Sequence, residues 1–178
     1  VSNLGHGNKE INDAIKEQVD KHLHLMVYGE YVQTPQVKFA EKLCSFLPAN
    51  LNSVYFTNSG AEATEGAMKL AKRSTGRTEI ISFANAYHGS TQGALSLIGS
   101  ENFKTNYRPL LPDIKQILYN EISELKKITE KTAAVFFEPI QAESGFTVPS
   151  IEFVKQLRAR CNETKTLLYF SKDHFNLN

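Results

Sequence analysis

Apolar positions recur along the chain at helical and at strand spacing, and the alternation between the two predicts the fold. From Asn8 to about Met26, Ile11, Ala14, Ile15 and Val19 fall at helical spacing with charges between them, which predicts an amphipathic helix. His22 and His24 follow near its end. Residues two apart point to different sides of a helix, so they read as helix-end histidines, not metal ligands. Val27 to Gln33 has no clear period and reads as an irregular connection. Thr34-Pro35 predicts a second helix, with threonine as N-cap and proline at the first helical position. Its apolar stripe is Val37, Ala40, Leu43, Cys44 and Leu47, and Pro48 closes it. Val54-Tyr55-Phe56 predicts a short buried strand. The turn formers Thr57 to Gly60 follow, then a helix with Ala63, Ala67, Leu70 and Ala71 on one face, ended by Ser74-Thr75-Gly76.

The second half repeats the alternation. Thr78 to Ala84 predicts a strand around Ile80, Ile81 and Phe83, Asn85 to Thr91 a polar loop, and Gln92 to Ile98 a buried helix. Gly99 to Pro112 shows no period, and Pro109 and Pro112 mark extended or looped chain. Ile114 to Tyr119 reads as a strand, Glu121 to Thr129 as a helix with Ile122, Leu125 and Ile128 inward, and Ala133 to Phe137 as a buried strand. Pro149 and Ser150 open a helix with Ile151, Val154, Leu157 and Cys161 on one face; Leu167 to Phe170 is a last short strand. Strands separated by helices, some of them wholly apolar, predict an α/β fold with a mostly parallel sheet and helices on both faces. Right-handed crossovers then place the turns after each strand along a common edge.

Composition narrows the function. The chain has 178 residues, enough for one domain with a sizeable core, and its 20 basic and 19 acidic residues leave a net charge of +1. No long-range field recruits nucleic acid or an anionic membrane, so anion binding must be local. No apolar run is long enough to span a bilayer, and the amino terminus lacks a basic segment followed by an apolar one; a cytoplasmic location is the expectation. Cys44 and Cys161 lie far apart on apolar helical faces, as reduced core thiols do, and no zinc or disulfide pattern is present. Val1 in place of an initiator methionine predicts a processed amino end or a start partway into a longer protein.

The strand-turn-helix unit from Ser53 to Gly66 points unpaired backbone N–H groups of the helix start past the strand end, where the dipole favours an anion such as phosphate. The turn matches neither G-x-x-x-x-G-K-[ST] nor G-x-G-x-x-G, and a tight structural turn needs the same residues. Two further clusters should reach the same edge: Tyr87-His88-Gly89, and Glu138 with Gln141 and Glu143. Each side chain alone has a structural account: a packed tyrosine, a helix-start histidine, a glutamate paired with an arginine. Together they offer an anion cradle, an aromatic ring beside an imidazole, and carboxylates, which suits a flat phosphorylated ligand such as pyridoxal phosphate.

In order, NSGAEATEGAMKLAKRSTGR, FANAYHGSTQGALS, AAVFFEPIQAESG and EFVKQLRARCNETKTLLYF resemble the class III pyridoxal-phosphate-dependent aminotransferases, the group with ornithine, acetylornithine and 4-aminobutyrate aminotransferases. The resemblance runs from about Leu4 to Phe170. It implies part of the large domain of a fold type I transferase, a homodimer, and ping-pong transfer of an amino group from an amine or amino acid to a 2-oxo acid. It also implies roles: Gly60 and Ala61 as backbone donors to the cofactor phosphate with Ser59 beside them, Tyr87 stacked on the pyridine ring with His88 as its companion, and Glu138 of the E-P-[IV]-Q motif near the cofactor. Glu143 matches a glutamate that pairs with a substrate-binding arginine in ornithine-type members.

The chain departs from the family in two places. Ser90 stands where ornithine-type members commonly carry an arginine for a substrate carboxylate, and serine cannot form that bidentate pair. After LLYF the family has an aspartate-glutamate pair whose aspartate bonds the pyridine nitrogen; here the chain reads Ser171-Lys172-Asp173-His174 and continues to Asn178. No residue matches the family's Schiff-base lysine, so no catalytic residue is assigned, and neither Lys172 nor Asp173 is an expected substitute. The expected organisation is an N-terminal helical segment over 1–52, a partial pyridoxal-phosphate-binding large domain over 53–170, and a divergent tail over 171–178, from a premature stop, a frame change or an incomplete gene. The alternative to an aminotransferase is a non-catalytic fragment or pseudoenzyme retaining a phosphate site or a dimer surface.

Overall fold

A computed structural model describes residues 4–23, 26 and 30–171. His24, Val27 to Gly29 of the expected 27–33 connection, and Lys172, Asp173 and the rest of the tail lie outside the described residues. The chain forms two units, Val1–Tyr55 and Phe56–Asn178.

The first unit holds helices α1 (Lys9–Lys21) and α2 (Thr34–Cys44). Asn8 caps α1 by accepting from the Ile11 N–H. Gln33, in extended conformation, takes the N-cap position of α2, so Thr34 is a helical residue and Pro35 the second one, one place later than the sequence suggests. Proline is still tolerated there, because the first-turn N–H groups have no partner within the helix. Val54 to Phe56 is not one of the strands, and Tyr55 is exposed.

The second unit is a sheet between two layers of helix. After α3 (Gly60–Thr75) come β1 (Glu79–Phe83), α4 (Gln92–Leu97), β2 (Ile114–Ile117), β3 (Thr132–Phe137), α5 (Ile151–Glu163) and β4 (Leu167–Phe170). The strands run in the order β2-β1-β3-β4, every pair parallel, with Ile80 opposite Ile114 and Ala134, and Val135 opposite Leu168. Alternation along the strands builds two cores. Ile81, Phe83, Val135 and Phe137 pack with Phe153, Leu157 and Cys161 of α5 and with Leu125 and Ile128. On the other face, Ile80, Ala134 and Phe136 pack with Met68 and Ala71 of α3 and Leu97 of α4. The expected α/β fold with helices on both faces is what forms. Burial pushes the Cys161 thiol up to about 11, so it stays protonated in the core.

Several faces differ in detail. The buried residues of α3 are Thr64, Met68 and Ala71, and Leu70 is exposed; on α5, Phe153 is buried and Ile151 exposed. Glu121 to Thr129 is not an α-helix but a 3-10 turn over Ile122–Lys127. Ile122, Leu125 and Ile128 recur every three residues, which is the period of that tighter helix.

At the amino edge of the sheet, Arg77 Nη1 donates to the carbonyls of Thr132 (2.9 Å), Thr164 (3.1 Å) and Lys165 (3.2 Å). The carboxylate of Glu79 accepts from Thr132 Oγ1 at 2.6 Å and pairs with Lys115. At the opposite edge the loop after β1 closes tightly on the end of α4. A methyl group on Gly99 would lie 2.1 Å from Asn85 N and 2.7 Å from the Ala84 carbon and Phe83 oxygen. These are backbone atoms and cannot swing aside. Gly99→Ala is therefore expected to cost about 2–3 kcal/mol as a small-to-large change in a closed site, measured by urea unfolding; an unchanged midpoint would show that the loop yields.

Candidate functional site

The strand order reverses between β1 and β3. From β1 the chain passes through α4 on one face to β2; from β3 it passes through α5 on the other face to β4. Connections that leave in opposite directions open a crevice at the carboxyl ends of the two strands, where open α/β sheets take their ligands.

Three walls of that crevice come from the expected clusters. Ser59, extended at φ −156° and ψ 162°, caps α3 by accepting from the Glu62 N–H at 3.1 Å. Glu62 reaches back to the Asn58 N–H (2.7 Å) and Nδ2 (3.0 Å), completing a reciprocal cap. The next amides, Gly60 and Ala61, have no hydrogen-bond partner among the described residues and sit at the positive end of a helix of 16 residues. They are ready-made anion donors.

The second wall is the loop after β1. Gly89 has φ +118°, and a methyl there would lie 2.7 Å from the Ala61 methyl, so the loop rests directly on the first turn of α3. Tyr87 is half-buried, its ring 6.5 Å from that of Phe103. His88 is 1% exposed with its edge against Phe136, and neither ring nitrogen has a hydrogen-bond partner in the described structure. Burial lowers its pKa from 6.5 to about 4, so the imidazole is neutral at pH 7.

The third wall begins where β3 ends. Glu138 is buried, and its Oε2 accepts from the Tyr87 N–H at 3.2 Å, which joins the two loops across the crevice. Its carbonyl accepts from the Tyr119 hydroxyl at 2.8 Å. Burial, and then the nearby Glu138 carboxylate, raises the pKa of Tyr119, which remains a donor. Gln141 is buried and donates to the Ala84 carbonyl at 2.9 Å; it opens a hairpin closed by an antiparallel bridge to Thr147, with Glu143 exposed on it. Ser171, also buried, donates its N–H to the Phe137 carbonyl at 2.8 Å, extending the β3–β4 pairing to the same edge.

The structure thus joins Ala61 to Gly89 and Tyr87 to Glu138, while Glu143 stands on an exposed hairpin. Sequence reasoning missed the Tyr119 hydroxyl, the Gln141 bond to Ala84, and Glu65, whose Oε1 accepts from Thr91 Oγ1 and from the amides of Gly93 and Ala94. Its one signal in the sequence is an acid four residues after Ala61, on the same helical face. A concavity of about 370 Å³ opens at this edge among Ala84, Asn85, Tyr119, Asn120, Gln141 and Thr147. A larger one, about 540 Å³, lies at the amino edge among Lys115, Lys131, Arg160 and Glu163 and contains none of the candidate residues. Among the described residues no three His, Cys, Asp or Glu side chains are grouped to hold a metal, and no helix is long and apolar enough to cross a membrane.

A parallel α/β sheet with an anion cradle at its carboxyl edge is one class of protein, and comparison with known proteins makes it narrower. The sequence pattern of the family described as Aminotransferase class-III matches residues 1–171. The chain belongs to the class III aminotransferases, and its sheet is part of the large domain of a fold type I pyridoxal-phosphate-dependent transferase. It is 38% identical over 169 residues to acetylornithine aminotransferase of Methanopyrus kandleri, aligning 94% of this chain with 43% of that protein. It is 36% identical over 173 residues to a LysW-aminoadipate semialdehyde/glutamate semialdehyde transaminase of Sulfolobus acidocaldarius, covering 97% of this chain and 44% of that one. The crystal structure of adenosylmethionine-8-amino-7-oxononanoate aminotransferase from Methanocaldococcus jannaschii superposes with a TM-score of 0.87 at 31% identity, over 94% of this chain and 42% of that chain. The chain therefore spans under half the length of these relatives.

The family implies pyridoxal phosphate, and the residues present fit it. Two unengaged amides at a helix start suit a phosphate, a half-buried tyrosine lies two residues before the Gly89 that meets Ala61, and a buried carboxylate accepts from that tyrosine's N–H. The close seating of Gly89 on Ala61 keeps the phosphate turn and the aromatic loop within one ligand's reach.

Proposed function

We propose that this chain forms the phosphate-binding and ring-binding part of a pyridoxal-phosphate site in an aminotransferase that moves an amino group from an amine or amino acid to a 2-oxo acid. When bound, pyridoxal phosphate acts as the electron sink for bond breaking at the amine-bearing carbon and carries the amino group between the half-reactions. Gly60 and Ala61 would hold its phosphate through their amides, with Ser59 fixing the turn. Tyr87 would cover one face of the ring, with His88 packed beneath the loop as a neutral filler. Glu138 would hold the Tyr87 backbone, and with it the ring wall, in place.

The family also supports a homodimer, a cytoplasmic location, and residues 53–170 as the part of the large domain that binds the cofactor. Glu143 would face substrate from its hairpin. Two of the relatives named above are an acetylornithine aminotransferase and an aminoadipate semialdehyde/glutamate semialdehyde transaminase, which supports an ω-amino compound as the donor class. Ser90 argues against a donor held by an arginine at that slot. A non-catalytic reading gains no support from relatives that are themselves transaminases.

The observation that carries the proposal is the pair of unengaged amides at the start of α3. Ser59 is already extended, the conformation a residue before proline prefers, so Gly60→Pro removes one donor with little strain. Its affinity for pyridoxamine phosphate, and for inorganic phosphate, should fall roughly 10-fold or more, the size of one hydrogen bond to a charged group. Isothermal titration of both ligands checks this. Unchanged affinity at an unchanged melting temperature would place the phosphate elsewhere.

A further inference from the structure

We infer that Glu65 is a positioning residue: it holds the loop bearing Tyr87 and His88 against the phosphate turn by capping α4 from the side of α3. Ala61 and Glu65 are four residues apart and so lie on the same face of α3. The loop after β1 runs along that face, fixed at one end by Gly89 on Ala61 and at the other by Glu65.

The fixing at the second end is unusually complete. Thr91 occupies the N-cap position of α4 but makes no side-chain cap of its own. Its hydroxyl donates instead to Glu65 Oε1 at 2.6 Å. The same oxygen accepts from the Gly93 N–H at 2.9 Å and the Ala94 N–H at 3.1 Å. These are first-turn amides with no partner inside α4, and both residues are buried, so water is a poor substitute. A carboxylate at that end of the helix is also the favoured charge. Gly93 is what lets it approach: a methyl there would lie 2.2 Å from Glu65 Oε2. One side chain of the cradle helix therefore supplies the cap of the helix that follows the ring-binding loop. Removing it frees the loop and leaves the Gly60 and Ala61 amides in place.

The consequence for cofactor binding rests on the function proposed above, whereas the hold on the loop does not. Two measurements on the full chain separate them. Without ligand, Glu65→Ala should speed hydrogen exchange of the Gly93 and Ala94 amides by roughly 10-fold or more relative to the amides of β1 and β3, about the loss of one to two buried hydrogen bonds. Glu65→Gln, which keeps an acceptor oxygen, should restore most of the protection. With ligand, Glu65→Ala should weaken pyridoxamine phosphate about 10-fold while inorganic phosphate stays within about 2-fold, the split expected when ring contacts are lost and phosphate donors are kept. Thr91→Val, which deletes only one of the three bonds, should show the same split at smaller size and guards against a poorly folded alanine variant.

Unchanged exchange at Gly93 and Ala94 would overturn the assignment. So would equal weakening of both ligands in Glu65→Ala and Thr91→Val, because that marks a residue important for stability alone. A wild-type chain that binds neither ligand would sink the cofactor reading, and the exchange result would then decide the role of Glu65 by itself.

Discussion

Phe83→Ala is expected to destabilise the chain by about 3–5 kcal/mol, the range for emptying an aromatic site in a packed core. Phe83 is fully buried at the end of β1, and its ring meets those of Tyr119, Phe137 and Phe153 at 5.5, 5.7 and 5.9 Å, all edge to face. Such arrangements stabilise beyond the area they bury. The loss should reach the crevice, because Tyr119 also donates to the Glu138 carbonyl and Glu138 holds the Tyr87 N–H. Urea unfolding gives the magnitude. A loss below about 1 kcal/mol would mean that the three neighbouring rings close over the gap.

Acid should remove about 3 kcal/mol of stability between pH 6.5 and 4 through His88 alone, from a pKa that falls from 6.5 to about 4 on folding. The folded-state value is the depressed one. The unfolded chain therefore takes up the proton first as pH drops, and the contribution is whole above 6.5 and lost on the way down to 4. Its cause is burial of an imidazole with no partner for either nitrogen among the described residues. Glu79 acts in a separate window. Burial pushes its carboxyl up, but the bonds from Lys115 and Thr132 hold it net below 4.5, so its contribution is lost only under that pH. Denaturant midpoints of the wild type and His88→Phe, followed from pH 7 to 4, test the assignment. The variant should be nearly flat between 6.5 and 4.5; a slope equal to that of the wild type would assign the effect to other groups.

Much of the fold was legible because some elements are specified locally. β1 and β3 are wholly buried, and Ile80, Ile81 and Phe83 in the one and Ala133 to Phe137 in the other are legible as short apolar groups. The limits of α3 were readable from Ser59 at its start and from Gly76, which ends it at φ +69°. Elements that depend on a partner were not. Val54 to Phe56 has strand composition but is not one of the strands, and the exposure of Leu70 and Ile151 depends on which face the sheet covers. The 3-10 turn at Ile122–Lys127 shows in its three-residue period, which lies close enough to the roughly 3.6 of an α-helix to pass for one.

The candidate site divides in the same way. Ser59, Gly60 and Ala61 are a local motif, and their unengaged amides follow from the helix start itself. Tyr87, His88 and Glu138 were found as separate motifs, and only the reversal of strand order between β1 and β3 brings the Tyr87 amide to the Glu138 carboxylate. The bonds of Glu65, Tyr119 and Gln141 cross between elements 19 to 57 residues apart, and nothing local announces them.

β4 lies at the edge of the sheet and pairs with β3 alone among the described strands. An edge strand of four residues would ordinarily peel from its ends. Arg77, at the start of β1, binds the carbonyls of Thr164 and Lys165 just before β4 and that of Thr132 at the start of β3, across 55 to 88 residues of sequence. Ser171 ties the other end to Phe137. The strand is latched at both ends, so it opens only with its neighbour, as a door and its frame would have to move together.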